Sequence, residues 1–315
     1  MRSRPRNWAA RLAMAAARAA ALWSVIGTPA FGPSVALAPA QGGKRLLLLT
    51  HNTFYNHASL EAIEAVVPEW GKTAGFTVTS LEGYKQTTSC TTQKPCDPSV
   101  ADLSMINAKY LSQFDGIMAS TNGELPFTDE GKQALVDFVR YGKGMVFIHQ
   151  SMVTLYTFKP WGEMLGAYMS NGALFDGTNS AKRLAVMKIE DRNHPATRNL
   201  PENWMLHDEF YQFAKKAWDP ATPNENRGPT KLPVPLAFSR DRVHVLISLD
   251  SEKTDFTGVR GWEKGGDYPQ AWYQSYGKGR TFYTSLGHRP DLWISDPLFK
   301  GHIVGALRWA LGQES

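Results

Sequence analysis

Cysteine is nearly absent. The 315 residues contain 2, Cys90 and Cys96, too few ligands for a cysteine-built structural zinc site. Both lie in Thr87-Thr88-Ser89-Cys90-Thr91-Thr92-Gln93-Lys94-Pro95-Cys96, a polar stretch where a close pair in an oxidising compartment reads as a local disulfide. The alternative is a pair of free thiols. Long apolar runs are missing as well: no stretch approaches the roughly 20 residues of a membrane span. Acidic residues are missing from the first forty positions, which hold Arg2, Arg4, Arg6, Arg11 and Arg18. Setting those five aside leaves 29 basic against 29 acidic residues from totals of 34 and 29. A basic footprint for nucleic acid is therefore not expected. Neither an internal repeat nor a low-complexity tract is present.

The arginine-rich start is followed by an apolar stretch from Ala19 to Ile26 and then by small residues ending in Ala38-Pro39-Ala40. A basic region, a short apolar region and an A-x-A-like site predict a signal peptide over residues 1–40, hence an exported, periplasmic or extracellular chain. An amphipathic or disordered tail is the alternative. A single domain is expected from Lys44 to Gly312.

Within it, Arg45 to Thr50 is a short apolar run of buried-strand type, and Ala58 to Ala74 has helical spacing that Pro68 is expected to kink or shorten. Strands are expected at Phe76–Ser80, Phe114–Ser120 and Met145–His149. Thr128 is placed to cap a helix reaching Tyr141, with Asp129 and Glu130 in its first turn. Further strands are read at 184–189, 243–249 and 280–285, and a closing helix from Pro297 to Leu311. Alternating strands and helices predict a doubly wound, mainly parallel α/β sheet. The Pro- and Asn-rich stretch from Asp219 to Pro235 is expected to be a surface excursion.

In such sheets ligands bind beyond the carboxyl ends of the strands. There the reading places His51, Asn52 and His57 after the first strand and Asn122 and Glu124 after the third. His149, Gln150 and Ser151 follow the fourth strand, and His288 and Arg289 follow the last. Imidazoles and carboxylates that converge are what proton transfer or metal binding requires.

The stretch from Lys44 to Gly312 resembles the ThuA-like (trehalose utilisation) family, which shares the class I glutamine amidotransferase fold, a flavodoxin-like three-layer sandwich. Residues carrying the resemblance are His57, Gly142 to His149, Asp191 to Thr197, Asp208-Glu209-Phe210-Tyr211, Trp272, Tyr276 to Arg280, Tyr283 to His288, and Trp309-Ala310. It implies a role in carbohydrate utilisation, on keto-sugars or keto-glycosides among others, and lifts Glu209 to a candidate site carboxylate. Two departures matter. The strand-to-helix elbow that carries the cysteine nucleophile of the glutaminases carries His149 here, so a thioester route has no nucleophile. Ile148-His149-Gln150-Ser151-Met152 also lacks the G-x-S-x-G pattern of serine hydrolases. The second departure is Met169-Ser170-Asn171-Gly172, where many relatives carry a histidine.

The resulting expectation is a sugar-acting enzyme, an isomerase, lyase or hydrolase, with His149, Glu209 and His288 in acid–base roles. His57, Glu124, Tyr211 and Trp272 are the expected substrate contacts, the two aromatics by stacking on sugar faces if they line the cleft. A divalent metal held by His57, His149, Glu209 or His288 is the open cofactor question. The competing expectation is a non-catalytic carbohydrate-binding or assembly module, with His149 a satisfied buried histidine and Trp272 a core residue.

Overall fold

The structure is a computed structural model that describes residues 43–85, 97, 100–174, 184–259 and 261–315, with the side chains of 170–174 left aside. The expected signal peptide and the cysteine pair lie outside the described residues. The strands are β1 Lys44–Asn52, β2 Phe76–Lys85, β3 Gly116–Asn122, β4 Gly144–Ile148, β5 Met169–Leu174, β6 Leu184–Ile189, β7 Asn203–His207, β8 Tyr211–Phe213, β9 His244–Leu249, β10 Pro269–Tyr276 and β11 Gly279–Thr284. The helices are α1 Ser59–Ala74, α2 Ala108–Leu111, α3 Asp129–Arg140, α4 Lys159–Leu165, α5 Pro290–Ser295 and α6 Pro297–Ala310.

Among the described residues nine strands form one sheet in the order β2-β1-β3-β4-β11-β10-β9-β6-β7, and β5 pairs with β8 apart from it. From β2 to β11 every pairing is parallel. Beyond β11 the pairings alternate antiparallel, so only β10 and β6 oppose the common direction. The sheet is thus the mainly parallel, doubly wound one expected.

Burial on both faces explains the unbroken apolar run of β1. Leu46 and Leu48 face a core shared with Leu60 and Ile63 of α1 and Ile303 and Leu307 of α6. Leu47 and Leu49 face the opposite core, with Leu135 and Val139 of α3 and Trp161 of α4. A strand with two oily faces has no polar positions to alternate with.

Helix boundaries follow local chemistry. Thr128 caps α3 by accepting a hydrogen bond from the Gly131 amide at 3.0 Å, and Asp296 caps α6 through the Leu298 and Phe299 amides. Pro68 does not end α1, which continues to Ala74 and closes on Gly75 at φ +82°. Gly277, at φ +62°, turns the tight β10–β11 hairpin. The stretch from Asp219 to Pro235 holds no named helix or strand. Among the described residues no helix is long and apolar enough to cross a membrane.

Two adjacent strands, β1 and β3, leave the sheet in opposite directions along the chain: β1 connects outward to β2, β3 inward to β4. The crevice at such a switch point opens at the carboxyl ends of β1, β3 and β4. The site lies there.

Candidate functional site

Each imidazole of the cluster is delivered by a strand end. His149 follows the last residue of β4 and holds φ +42°, the left-handed region that a non-glycine residue rarely adopts. That turn aims its ring back across the sheet rim. Its Nδ1 lies 2.5 Å from the Ser285 carbonyl, a partner that only an N–H can satisfy, so the lone pair is on Nε2. Around Nε2 gather the Tyr211 hydroxyl at 2.7 Å, His288 Nδ1 at 3.1 Å and Glu209 Oε2 at 3.3 Å. Glu209 Oε2 is also 2.9 Å from His288 Nδ1 and accepts from the Tyr211 hydroxyl at 3.1 Å. His57 completes the group from the loop after β1, its ring 5.1 Å from His149 and 5.3 Å from His288 between centroids. The ring of Tyr211 stacks on His149 at 4.6 Å. His57, His149, Glu209 and His288 thus converge although they are spread over more than two hundred positions of sequence.

The loops are held by polar side chains whose part was not anticipated. Asp208 is fully buried, and its carboxylate accepts from the Gly287 amide at 2.6 Å and the Arg289 amide at 3.2 Å. Those two amides flank His288. The dipeptide Asp208-Glu209 is therefore a clamp followed by a site carboxylate. Gly287 holds φ +107° there, a conformation that suits glycine. Asn122, at the end of β3, accepts from the amides of Phe54 and Tyr55 at 3.1 and 3.2 Å and donates to the Tyr55 carbonyl at 2.7 Å. It thereby fixes the loop that delivers His57. Adjacency to Glu209 and to a strand end was the available signal for Asp208 and Asn122.

Electrostatics set the protonation states. Burial pushes the Glu209 carboxyl up, but the hydrogen bond and charge of His288, with the polar ring of His149 alongside, outweigh it, leaving it far below the ordinary range. Burial lowers His288, yet its hydrogen bond to Glu209 and the carboxylate charge raise it overall. His57 is driven well down, first by burial and then by His149 and His288, with Glu209 opposing. Burial, reinforced by Glu209, keeps the Tyr211 phenol protonated far above its usual range. The set comprises a carboxylate, an imidazolium-prone ring, a neutral ring and a phenol O–H. His288 is partly exposed, its side chain 27% accessible, whereas Glu209 is 8% and His149 0% accessible. The cluster therefore reaches solvent through His288.

Two expected contacts fall elsewhere. Trp272 is 1% exposed, donates its indole N–H to the Leu165 carbonyl at 2.8 Å, and packs on Tyr283 and Phe213. It is a core residue: enclosed among Phe213, Phe238 and Tyr283, its ring presents no face on which a sugar could stack. Glu124 lies after β3, but its carboxylate bonds the backbone and hydroxyl of Thr157. His51 points to the other face of the sheet, against Tyr84. At the end of β1, the start of α1 and the turn after β4, the side-chain amide of Asn52, Ser59 Oγ and Gln150 Oε1 are buried without hydrogen-bond partners among the described residues. Polar ligand groups satisfy such atoms.

With this geometry in view, the family model described as trehalose utilisation, ThuA, matches residues 45–227 and 232–310. The chain belongs to the ThuA family. Two solved structures are similar across most of their length. One is a putative ThuA-like protein from Bacteroides uniformis, with 20% identity, TM-score 0.56, and coverage of 89% of this chain and 95% of that one. The other is a putative ThuA-like protein from Parabacteroides merdae, with 18% identity, TM-score 0.56, and coverage of 86% and 91%. At that identity they speak for the fold, which is the amidotransferase-like one. No curated protein matches the chain. Within this ThuA fold the elbow position is occupied by His149, not by a cysteine.

Proposed function

We propose that this ThuA protein is an exported enzyme of carbohydrate utilisation that acts on a sugar, in particular a keto-sugar or keto-glycoside, by histidine–carboxylate acid–base chemistry. One observation carries the reading: three imidazoles, a carboxylate and a phenol meet around His149 Nε2 at the carboxyl rim of the sheet. The family's description as trehalose utilisation supports a carbohydrate substrate.

In this reading His149 takes the proton from the carbon beside a keto group. Its Nε2 lone pair is fixed for that purpose by the Nδ1–H bond to Ser285. The developing enediolate oxygen is met by the two donors opposite, His288 and Tyr211, while Glu209 favours the protonated form of His288. Isomerisation and elimination both start from that step, and hydrolysis follows where elimination is completed by water. The buried amide and hydroxyl groups of Asn52, Ser59 and Gln150 suit sugar hydroxyls.

A screen of sugars and their keto forms tests it, with product analysis on the purified protein. Conversion of at least one keto-sugar, lost in His149→Ala, is the expected outcome. Saturable binding without conversion would replace the enzyme by a binding protein. Glutamine is expected to release no ammonia. Export is checked separately: the mature protein recovered from the periplasm or medium should begin after Ala40.

A further inference from the structure

We propose that His57, His149, Glu209 and His288 form a binding site for one divalent transition-metal ion, of the class that imidazole and carboxylate ligands select. Each of the four offers one donor atom, and the four atoms lie within 4.8 Å of one another. The three rings stand nearly edge to face in pairs, at 82°, 84° and 67°. Lone pairs can then point at a common centre without the rings colliding. Three nitrogens and one oxygen suit zinc, iron, nickel or copper rather than magnesium or calcium, which prefer all-oxygen shells.

The second, independent observation is the outer layer. Histidines that hold metals donate their other ring N–H to a carbonyl or carboxylate, which fixes the tautomer. His149 Nδ1 does so to Ser285, and His57 Nδ1 lies 3.2 Å from the Tyr55 carbonyl. Both rings therefore turn Nε2 inward. Asn122 bonds the same Tyr55 backbone on both its N–H and its C=O side, and Asp208 clamps the amides on either side of His288. Every histidine of the set is thus braced from behind. Asp208 is a positioning residue: it touches no donor atom, but ties the His288 loop to the segment that carries Glu209.

This inference uses the same Nε2 lone pair of His149 as the proposed proton transfer, so the metal-bound and proton-abstracting states exclude each other, and each is tested on its own. Zinc titration into the chelator-treated chain, followed by calorimetry, tests it. The expected result is one equivalent bound per chain, weakened at least 100-fold in both His57→Ala and His149→Ala, and about 10- to 100-fold in Asp208→Asn. Absence of binding, or affinity in the two histidine variants equal to that of the unmutated chain, overturns it. Should those variants fail to fold, cobalt(II) absorption of the unmutated chain decides: an imidazole-coordinated spectrum supports the site, and the spectrum of hydrated cobalt refutes it. A metal-free chain that still converts a keto-sugar would leave the enzyme reading intact while zinc binding fails. Zinc binding with no sugar converted does the reverse.

Discussion

His149 holds a backbone conformation that costs a non-glycine residue on the order of 1–3 kcal/mol, and it does so where its ring meets the Ser285 carbonyl and the side chains of Tyr211, His288 and Glu209. Truncating it should separate fold from chemistry. His149→Ala is expected to lower keto-sugar turnover by about 100- to 10,000-fold, while the melting temperature stays within a few degrees. Full activity in that variant would remove its assigned role. Tyr211→Phe should reduce turnover by a smaller factor, since it deletes one donor and leaves the stacked ring in place. Trp272 is the contrasting case. Trp272→Ala is expected to cost about 3–5 kcal/mol in denaturant unfolding, as the emptying of a packed core site does. A change in substrate affinity with stability intact would instead return Trp272 to a cleft.

Among the elements, α6 shows how closely helix and loop are fitted. A Cβ added at Gly305 would stand 2.2 Å from the Pro195 carbonyl oxygen and 2.9 Å from Ala196 Cα. Backbone atoms cannot swing aside, so Gly305→Ala should destabilise the fold by about 1–3 kcal/mol although alanine is the better helix former. A rise in melting temperature would contradict that packing. The same scale shows what was legible in the residues. β1 and β4 were readable because both faces are buried and the apolar run is continuous. α3 was readable from its cap and stripe. β7, with Trp204 and Leu206 buried but Met205 exposed, and the three-residue β8 carry too short a pattern to stand out. β10 mixes Gln270 and Gln274 into its buried positions because their amides bond main-chain carbonyls far away, at Tyr211 and Met164 among others. The site was half visible. Strand ends marked His57, His149 and His288 as candidates, and the resemblance added Glu209. The clamp by Asp208 depends on the path of a loop roughly eighty residues on, and the burial of Trp272 on a carbonyl at Leu165. Neither leaves a local trace.

Across the whole molecule, buried neutral histidines couple stability to pH. His302 is enclosed by the main core; burial brings it down to about 4 despite its hydrogen bond to the Ala196 carbonyl. The unfolded chain, with the ordinary value of 6.5, binds the proton first. The stabilisation from His302 is therefore complete above about pH 6.5 and is lost progressively as the pH falls toward 4, amounting to about 3 kcal/mol. His51, also held down to about 4 by burial, adds in the same direction. Denaturant midpoints should fall between pH 7 and pH 4, and fall less in His302→Gln. A flat profile would mean that the ring takes up its proton without leaving the core.

The most direct measurement is proton NMR of a keto-sugar or keto-glycoside incubated with the protein in deuterium oxide. Abstraction by His149 predicts that the signal of the hydrogen beside the keto group disappears with the unmutated chain and persists with His149→Ala. Persistence with both, across the keto forms of the sugars tested, would contradict a proton-transfer site at this sheet rim.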